Sequence, residues 1–390
     1  MTSAPQFNDR LLPLWTDENL VTPAFVYDES QIVEKLELLA RVREQSGCRM
    51  LYSIKALSFA GLLKTMAEYV DGFSVSSLFE ARLAREILED RGSIHLTSPG
   101  LREPDMREIA EYCDYLSFNS LPQWQRCKPY AKHRQCGLRI NPGLSFVKDE
   151  RYDPCRAWSK LGVPLAQLDE IPADSDLLDG ISGLHIHNNC EAIDFHQLEK
   201  TINLLLEQYN CIVARMRWLN FGGGYYIHDF SQLDVLNNII ESLRQQYDLE
   251  IFFEPGKGVV GHAGYLAASV IDMFDSGGRT VAILDTTVNH LPEVFEYQYK
   301  PAVLQESATG KYLYRLAGAS CLSGDLFGDY RFDRELQINS RIIFANMGAY
   351  MMVKASMFNG INLPAIYSLD RTGAIRQQLK FEYQHYRSRL

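Results

Sequence analysis

Residues 49–88 read RMLYSIKALSFAGLLKTMAEYVDGFSVSSLFEARLAREIL. The runs RMLYSI and GFSV are short, apolar and strand-like, whereas LSFAGLLKTMAEYV and SSLFEARLAREILED space their apolar residues as a helix does. Strand, helix, strand, helix is the order of a parallel sheet whose crossovers cover its faces. The pattern extends in both directions, from AFVYD before it to SIHLTS, YLSFNS, GLRINP, GLHIHNN, WLNFGGG and EIFFEPG after it. Helical patterns such as SQIVEKLELLARVRE and DFHQLEKTINLLLEQY separate these runs. Roughly eight units of about 30 residues, with no glycine-rich fingerprint behind the first strand, predict an α/β fold of the (β/α)8 TIM-type barrel class rather than an open sheet.

The barrel is expected over residues 23–264. Beyond it, YLAASVIDMF, RTVAILDTT, KYLYRLAGAS and RIIFANMG are strand-like with turns between them. Residues 265–390, with residues 1–22, therefore predict a C-terminal, mostly-β domain of β-sandwich or β-barrel type.

Composition narrows the function. A chain of 390 residues with 46% hydrophobic content can bury a large core. It has no long apolar run, and its start, MTSAPQFNDR, lacks the parts of a secretion signal, so a cytoplasmic protein is expected. Its eight cysteines are scattered, without the close His/Cys spacing of a structural metal site; reduced thiols and no metal are expected. A net charge of −10 disfavours nucleic acid and anionic membranes as partners and favours a cationic ligand.

In such a barrel, polar residues at the C-terminal ends of strands face the active site. The rule selects Lys55, His187, Gly222, Gly223 and Gly224, and Glu254. Each also fits a structural role: a snorkelling lysine, a core histidine, a turn, a helix cap. Together they point to one ligand. A desolvated lysine can form an imine with an aldehyde, glycine N–H groups can surround a phosphate, a carboxylate can hold a pyridine nitrogen protonated, and an imidazole can lie against a flat ring. Pyridoxal 5'-phosphate (PLP) has all four features. Further along, GASCLSGD (318–325) carries Cys321 and Asp325, and NMGAYMMVKASMFNG (346–360) carries Tyr350. A thiol can protonate a carbanion and a tyrosine hydroxyl can reach a phosphate, although a buried thiol and a core tyrosine would read the same way.

The blocks TPAFVYD, YSIKAL, GFSVSSLFE, GLHIHNNCE, NFGGGY, EPGKG, GASCLSGD and NMGAYMMVKASMFNG occur in the order and spacing of a known family. The chain resembles the PLP-dependent decarboxylases of the alanine-racemase fold (fold type III), which include ornithine and diaminopimelate decarboxylases. The resemblance implies that Lys55 is the Schiff-base lysine, that His187 stacks on the cofactor ring and that Glu254 pairs with its nitrogen. It places Gly222, Gly223, Gly224, Gly256 and Tyr350 around the phosphate. Cys321 becomes the catalytic thiol, contributed across a homodimer with shared active sites.

Two departures bear on substrate. After EPG, where many relatives have arginine, this chain has Lys257, which keeps the charge without the planar fork. After the cysteine, where relatives acting on ornithine or diaminopimelate have an acid, it has Leu322. The runs CLSGD and DTTVNHLPEVFEY are instead similar to the branch acting on carboxylated polyamines: carboxynorspermidine, carboxyspermidine or carboxyaminopropylagmatine. Such a cationic substrate needs acids and hydrogen bonds. Asp325 is the leading candidate, followed by Asp285, Asn289 and His290, with Glu293, Glu296 and Asp329 as further carboxylates.

Overall fold

The computed structural model describes residues 9–147, 149–171, 175–231 and 233–390. The chain forms two compact units, one spanning Glu34–Gly258 and the other built from the segments on either side of it.

The central unit is a closed parallel barrel. Strand β1 (Ala24–Asp28) lies outside it; the staves are β2 (Arg49–Ser53), β3 (Gly72–Val75), β4 (Ser93–Ser98), β5 (Tyr115–Phe118), β6 (Gln135–Asn141), β8 (Ile181–Ile186), β9 (Trp218–Asn220) and β10 (Glu250–Phe253). A two-residue strand, β7 (Val163–Pro164), pairs with β6 alone. The ring closes where β5 meets β6 and β10 meets β2. Side chains fill its lumen. Trp218 packs edge-on to Tyr115 and Phe252, and it occupies the space opposite two glycines: a Cβ on Gly183 would fall 2.0 Å from the indole, and one on Gly137 would fall 2.5 Å from it. His95 stacks on Tyr115 at 4.0 Å in the same layer.

Local signals set the covering helices. Helix Leu78–Leu88 is capped by Ser77, whose side chain accepts from Glu80 N, while Glu80 Oε2 accepts from Ser76 N at 2.7 Å. Its buried face is Ala81, Ala84, Ile87 and Leu88, the spacing of the quoted stretch. No helix among the described residues is long and apolar enough to cross a membrane.

The second unit is an eight-stranded mixed sheet. Its strands are β1, β11 (Gly264–Ser276), β12 (Arg279–Leu284), β13 (Tyr312–Ala317), β14 (Leu326–Phe332), β15 (Arg341–Ala345), β16 (Ala365–Leu369) and β17 (Ile375–Leu379). The 13-residue β11 organises it: β1 and β15 pair with its first part, and after an irregularity at Val270/Asp272 it pairs with β12. Leu11, Leu14 and Leu20 join Val26, Tyr265, Ile343 and Tyr367 in its core.

This corrects the place of AFVYD, which the sequence pattern assigns to the barrel. The segment pairs antiparallel with β11 and parallel with β16. Eight other strands already close the ring through the β10–β2 pair, which leaves no edge for a ninth. The division between units falls accordingly at 33/34 and 258/259, inside the 23–264 span expected for the barrel.

Candidate active site

The C-terminal ends of β2, β3, β4, β6, β8 and β10 surround a cavity of about 670 Å³, lined in part by Lys55, Arg139, His185, His187 and Glu254. Lys55 sits on the single turn Ile54–Ala56 that follows β2. The turn is anchored to the strand end beside it, because Ser53 N donates to Pro255 O at 2.9 Å. The lysine keeps solvent-accessible surface because it projects into the cavity. Enclosure by the walls lowers its pKa; Arg139 adds to the effect, and Glu254 and Glu80 oppose it.

Glu254, at the end of β10, is 4% exposed. Burial alone would raise its pKa, but the interactions with His185, Lys55 and His95 outweigh burial and hold it ionised. Asn220 Nδ2 donates to Glu254 Oε1 at 2.7 Å, and His185 Nε2 lies 3.6 Å from Oε2. Asn220 also receives Gly222 N on its Oδ1 at 2.9 Å, and Gly222 O accepts from Glu254 N at 2.8 Å, so the glycine turn and the carboxylate form one assembly.

His187 is neutral: desolvation, Lys55 and Arg139 all push its pKa well below the ordinary value. Its Nδ1 accepts from Gly223 N at 3.1 Å, which leaves any ring proton on Nε2. The turn needs its glycines. Gly222 and Gly224 have φ of +63° and +91°, and a Cβ on Gly224 would fall 2.2 Å from Asn189 O. The N–H groups of Gly222 and Gly223 donate to Asn220 and His187, so these two glycines orient those side chains. Gly256 lies against Ser53 and Ala56, 3.2 Å from each Cβ by the same measure. Lys257 is ion-paired with Glu191 at 2.7 Å.

The remaining candidates belong to the sheet unit. Cys321 is exposed, in a turn held by Asn359 Oδ1 accepting from its backbone N at 2.8 Å. Tyr350 is half-buried with φ +63°. Asp325 is 2% exposed, and its oxygens accept from Val288 N at 2.8 Å and Ser320 N at 3.0 Å. His290 is fully buried against Thr286, and burial lowers its pKa to about 4. Both side chains face inward and hold the loop. Asp285 accepts from Thr22 Oγ1 and Ser269 N at 2.6 and 2.8 Å; Asn289 donates to Thr287 Oγ1 at 3.0 Å. Asp329 is matched by Arg315 and Arg279, and Glu296 by Lys354, whose amine is 3.9 Å from Glu293.

Sequence reasoning passed over Asn220, His185, His95 and Arg139. Each interrupts an otherwise apolar parallel strand (WLN, GLHI, SIHL, GLRI), and a polar residue at a lumen-facing position was the available signal.

Comparison with known proteins shows the family of the chain. The family model described as pyridoxal-dependent decarboxylase, C-terminal sheet domain, matches residues 24–348. The chain belongs to the pyridoxal-dependent decarboxylases. It is 32% identical over 387 residues to a carboxynorspermidine/carboxyspermidine decarboxylase of Campylobacter jejuni, covering 95% of this chain and 98% of that one. It is 35% identical to a carboxyaminopropylagmatine decarboxylase of Synechocystis, covering 95% and 96%. Among solved structures, carboxynorspermidine decarboxylase complexed with norspermidine, from Campylobacter jejuni, superposes with a TM-score of 0.84 at 31% identity, covering 95% of this chain and all of that one. The barrel and separate sheet unit are thus the fold of this decarboxylase family.

Proposed function

We propose that this decarboxylase removes CO2 from a carboxylated polyamine (carboxynorspermidine, carboxyspermidine or carboxyaminopropylagmatine), using PLP in the barrel mouth of a cytoplasmic homodimer. The carrying observation is the 32–35% identity, along 95% of the chain, to relatives named for those substrates. The residues fit the cofactor: an amine with a lowered pKa, a buried ionised carboxylate and a neutral imidazole line one cavity, beside a glycine turn that no Cβ could enter. Eight free cysteines accord with a reducing compartment.

In this reading the cofactor, when bound, supplies the sink for the electron pair left as the carboxylate departs. Lys55 would offer an unprotonated amine to its aldehyde. Glu254, anionic, would hold the ring nitrogen protonated, and His187 would give the ring an uncharged surface. The glycine turn, Gly256 and Tyr350 would hold the phosphate. Cys321, from a second copy, would deliver a proton to the α carbon. The net charge of −10 draws in the cationic substrate.

CO2 release by the PLP-loaded protein on the three carboxylated polyamines, ornithine, arginine and diaminopimelate tests the proposal. Preference for a carboxylated polyamine is expected. Preference for a simple amino acid overturns the substrate, and silence across the panel overturns the activity.

A further inference from the structure

The lumen beneath Glu254 holds polar atoms that barrel packing does not explain. His185 is 1% exposed and neither of its ring nitrogens has a hydrogen-bond partner. His95, 2% exposed, shares a hydrogen bond at Nε2 with Ser93 Oγ at 2.9 Å, while its Nδ1 and the buried Thr97 Oγ1 have no partner. Unsatisfied buried polar groups are costly and rare, and where several gather they mark function. Apolar side chains would fill this volume at lower cost, as Trp218 and Phe252 do in the same lumen.

His185 faces Glu254. Asn220 secures Oε1 at 2.7 Å, and the side-chain atom that addresses Oε2 is His185 Nε2, at 3.6 Å. A shift of about half an ångström turns that approach into a hydrogen bond. His185 and His187 stand on the same face at the end of β8, with ring centroids 6.5 Å apart, so one strand end addresses both the carboxylate and the cavity.

We propose that His185 is a positioning residue: uncharged, it donates from Nε2 to Glu254 Oε2 and, with Asn220, fixes the carboxylate in the orientation that a pyridine nitrogen must meet. A neutral donor is what the site needs. A cation in that place would compete with a protonated ring for the carboxylate, whereas a hydrocarbon would leave one oxygen of a buried anion bare. Burial keeps His185 uncharged against the pull of Glu254, and Arg139 and Lys55 act in the same direction. The inference rests on the proposed use of PLP, but on no particular substrate.

The test replaces His185 with Phe, which fills the space without a donor, and with Gln, which restores one. Apoprotein is titrated with PLP, and the ratio of the bound cofactor's two absorption bands, which follows the imine's proton and tautomer and so responds to the charge held at the ring nitrogen, is recorded with the dissociation constant. For His185→Phe we expect cofactor affinity weakened about tenfold to a hundredfold, the cost of a lost hydrogen bond to a charged group, and an altered band ratio; His185→Gln recovers most of both. Should the Phe variant not fold, His185→Asn, too short to reach Glu254, takes its place with the same expectation. Unchanged affinity and bands in the donor-less variant overturn the inference, as does equal impairment of the Phe and Gln variants with unaltered bands, which would mean packing alone. Wild-type protein that binds no PLP overturns the proposed cofactor along with it, whereas inactivity on the substrate panel leaves this measurement intact.

Discussion

The amide of Asn220 and the carboxylate of Glu254 meet at 2.7 Å across adjacent strands, both side chains almost wholly buried. One residue of β9 thereby orients the acid of β10, and the same amide's oxygen receives the first N–H of the glycine turn. The carboxylate and the turn are thereby locked together.

Asn220→Leu removes that lock. A lost hydrogen bond to a charged group is worth about 1.5–3 kcal/mol, so kcat/KM should fall about tenfold to a hundredfold, with weaker cofactor retention. Asn220→Asp, which sets a second acid against Glu254, should do worse. Steady-state kinetics with cofactor titration would show it, and wild-type values in both variants would contradict the assignment.

Lys55→Ala should abolish turnover while leaving the thermal transition in place, since the side chain projects into open volume. Its lowered pKa sets a pH dependence: the reactive, unprotonated amine becomes populated as pH rises through a value below the ordinary 10.5. The rate at which apoprotein captures PLP should rise with pH and level off before that value. A plateau reached only at the ordinary lysine value would show that enclosure does not tune the amine.

Cys321 is exposed and far from the usual fate of a core thiol. If it supplies the proton, Cys321→Ala should cost on the order of a hundredfold in kcat. Mixing that variant with Lys55→Ala should restore activity, because each heterodimer retains one intact site. No recovery on mixing would argue for sites completed within one chain.

Gly224→Ala places a methyl group 2.2 Å from Asn189 O at a φ of +91°. The turn must deform, and a fold-wide loss of about 1–3 kcal/mol is expected together with lost PLP binding. Denaturant melts of apoprotein and cofactor titration would separate the two effects; an unperturbed variant would mean that the turn relaxes freely.

Acid should destabilise the barrel through its buried histidines. Burial lowers the pKa of His95 to about 3, and that of His185 below 6.5. A histidine that binds fewer protons folded than unfolded contributes stability that is present above the unfolded value and lost as pH falls from about 6.5 towards the folded value. Each such group contributes a slope of at most about 1.4 kcal/mol per pH unit. Apoprotein melts from pH 7 to pH 4 should show this decline, and His95→Phe should flatten it; parallel curves would remove His95 from the account.

The order of the blocks around Lys55, His187, Gly222–Gly224 and Glu254 was legible in the sequence because barrel chemistry sits at strand ends, and strand ends can be read from apolar periodicity. Periodicity also sufficed to separate a barrel from a sheet unit. It could not say which nine-strand candidate stays outside an eight-strand ring, because AFVYD is as apolar as the true staves; closure of β10 on β2 settles that in space. Nor could it show which polar groups have partners within the chain. Asp325 accepts from two backbone N–H groups and His290 is buried, and those partners come from turns whose approach no linear pattern encodes. Conversely, Asn220, His185 and His95 pass for ordinary strand residues until the ring closes. Sequence determines which side chains each strand carries on alternate faces; only closure of the barrel points those from β4, β8, β9 and β10 at one another across a low-dielectric lumen, where a buried carboxylate makes every neighbouring donor matter.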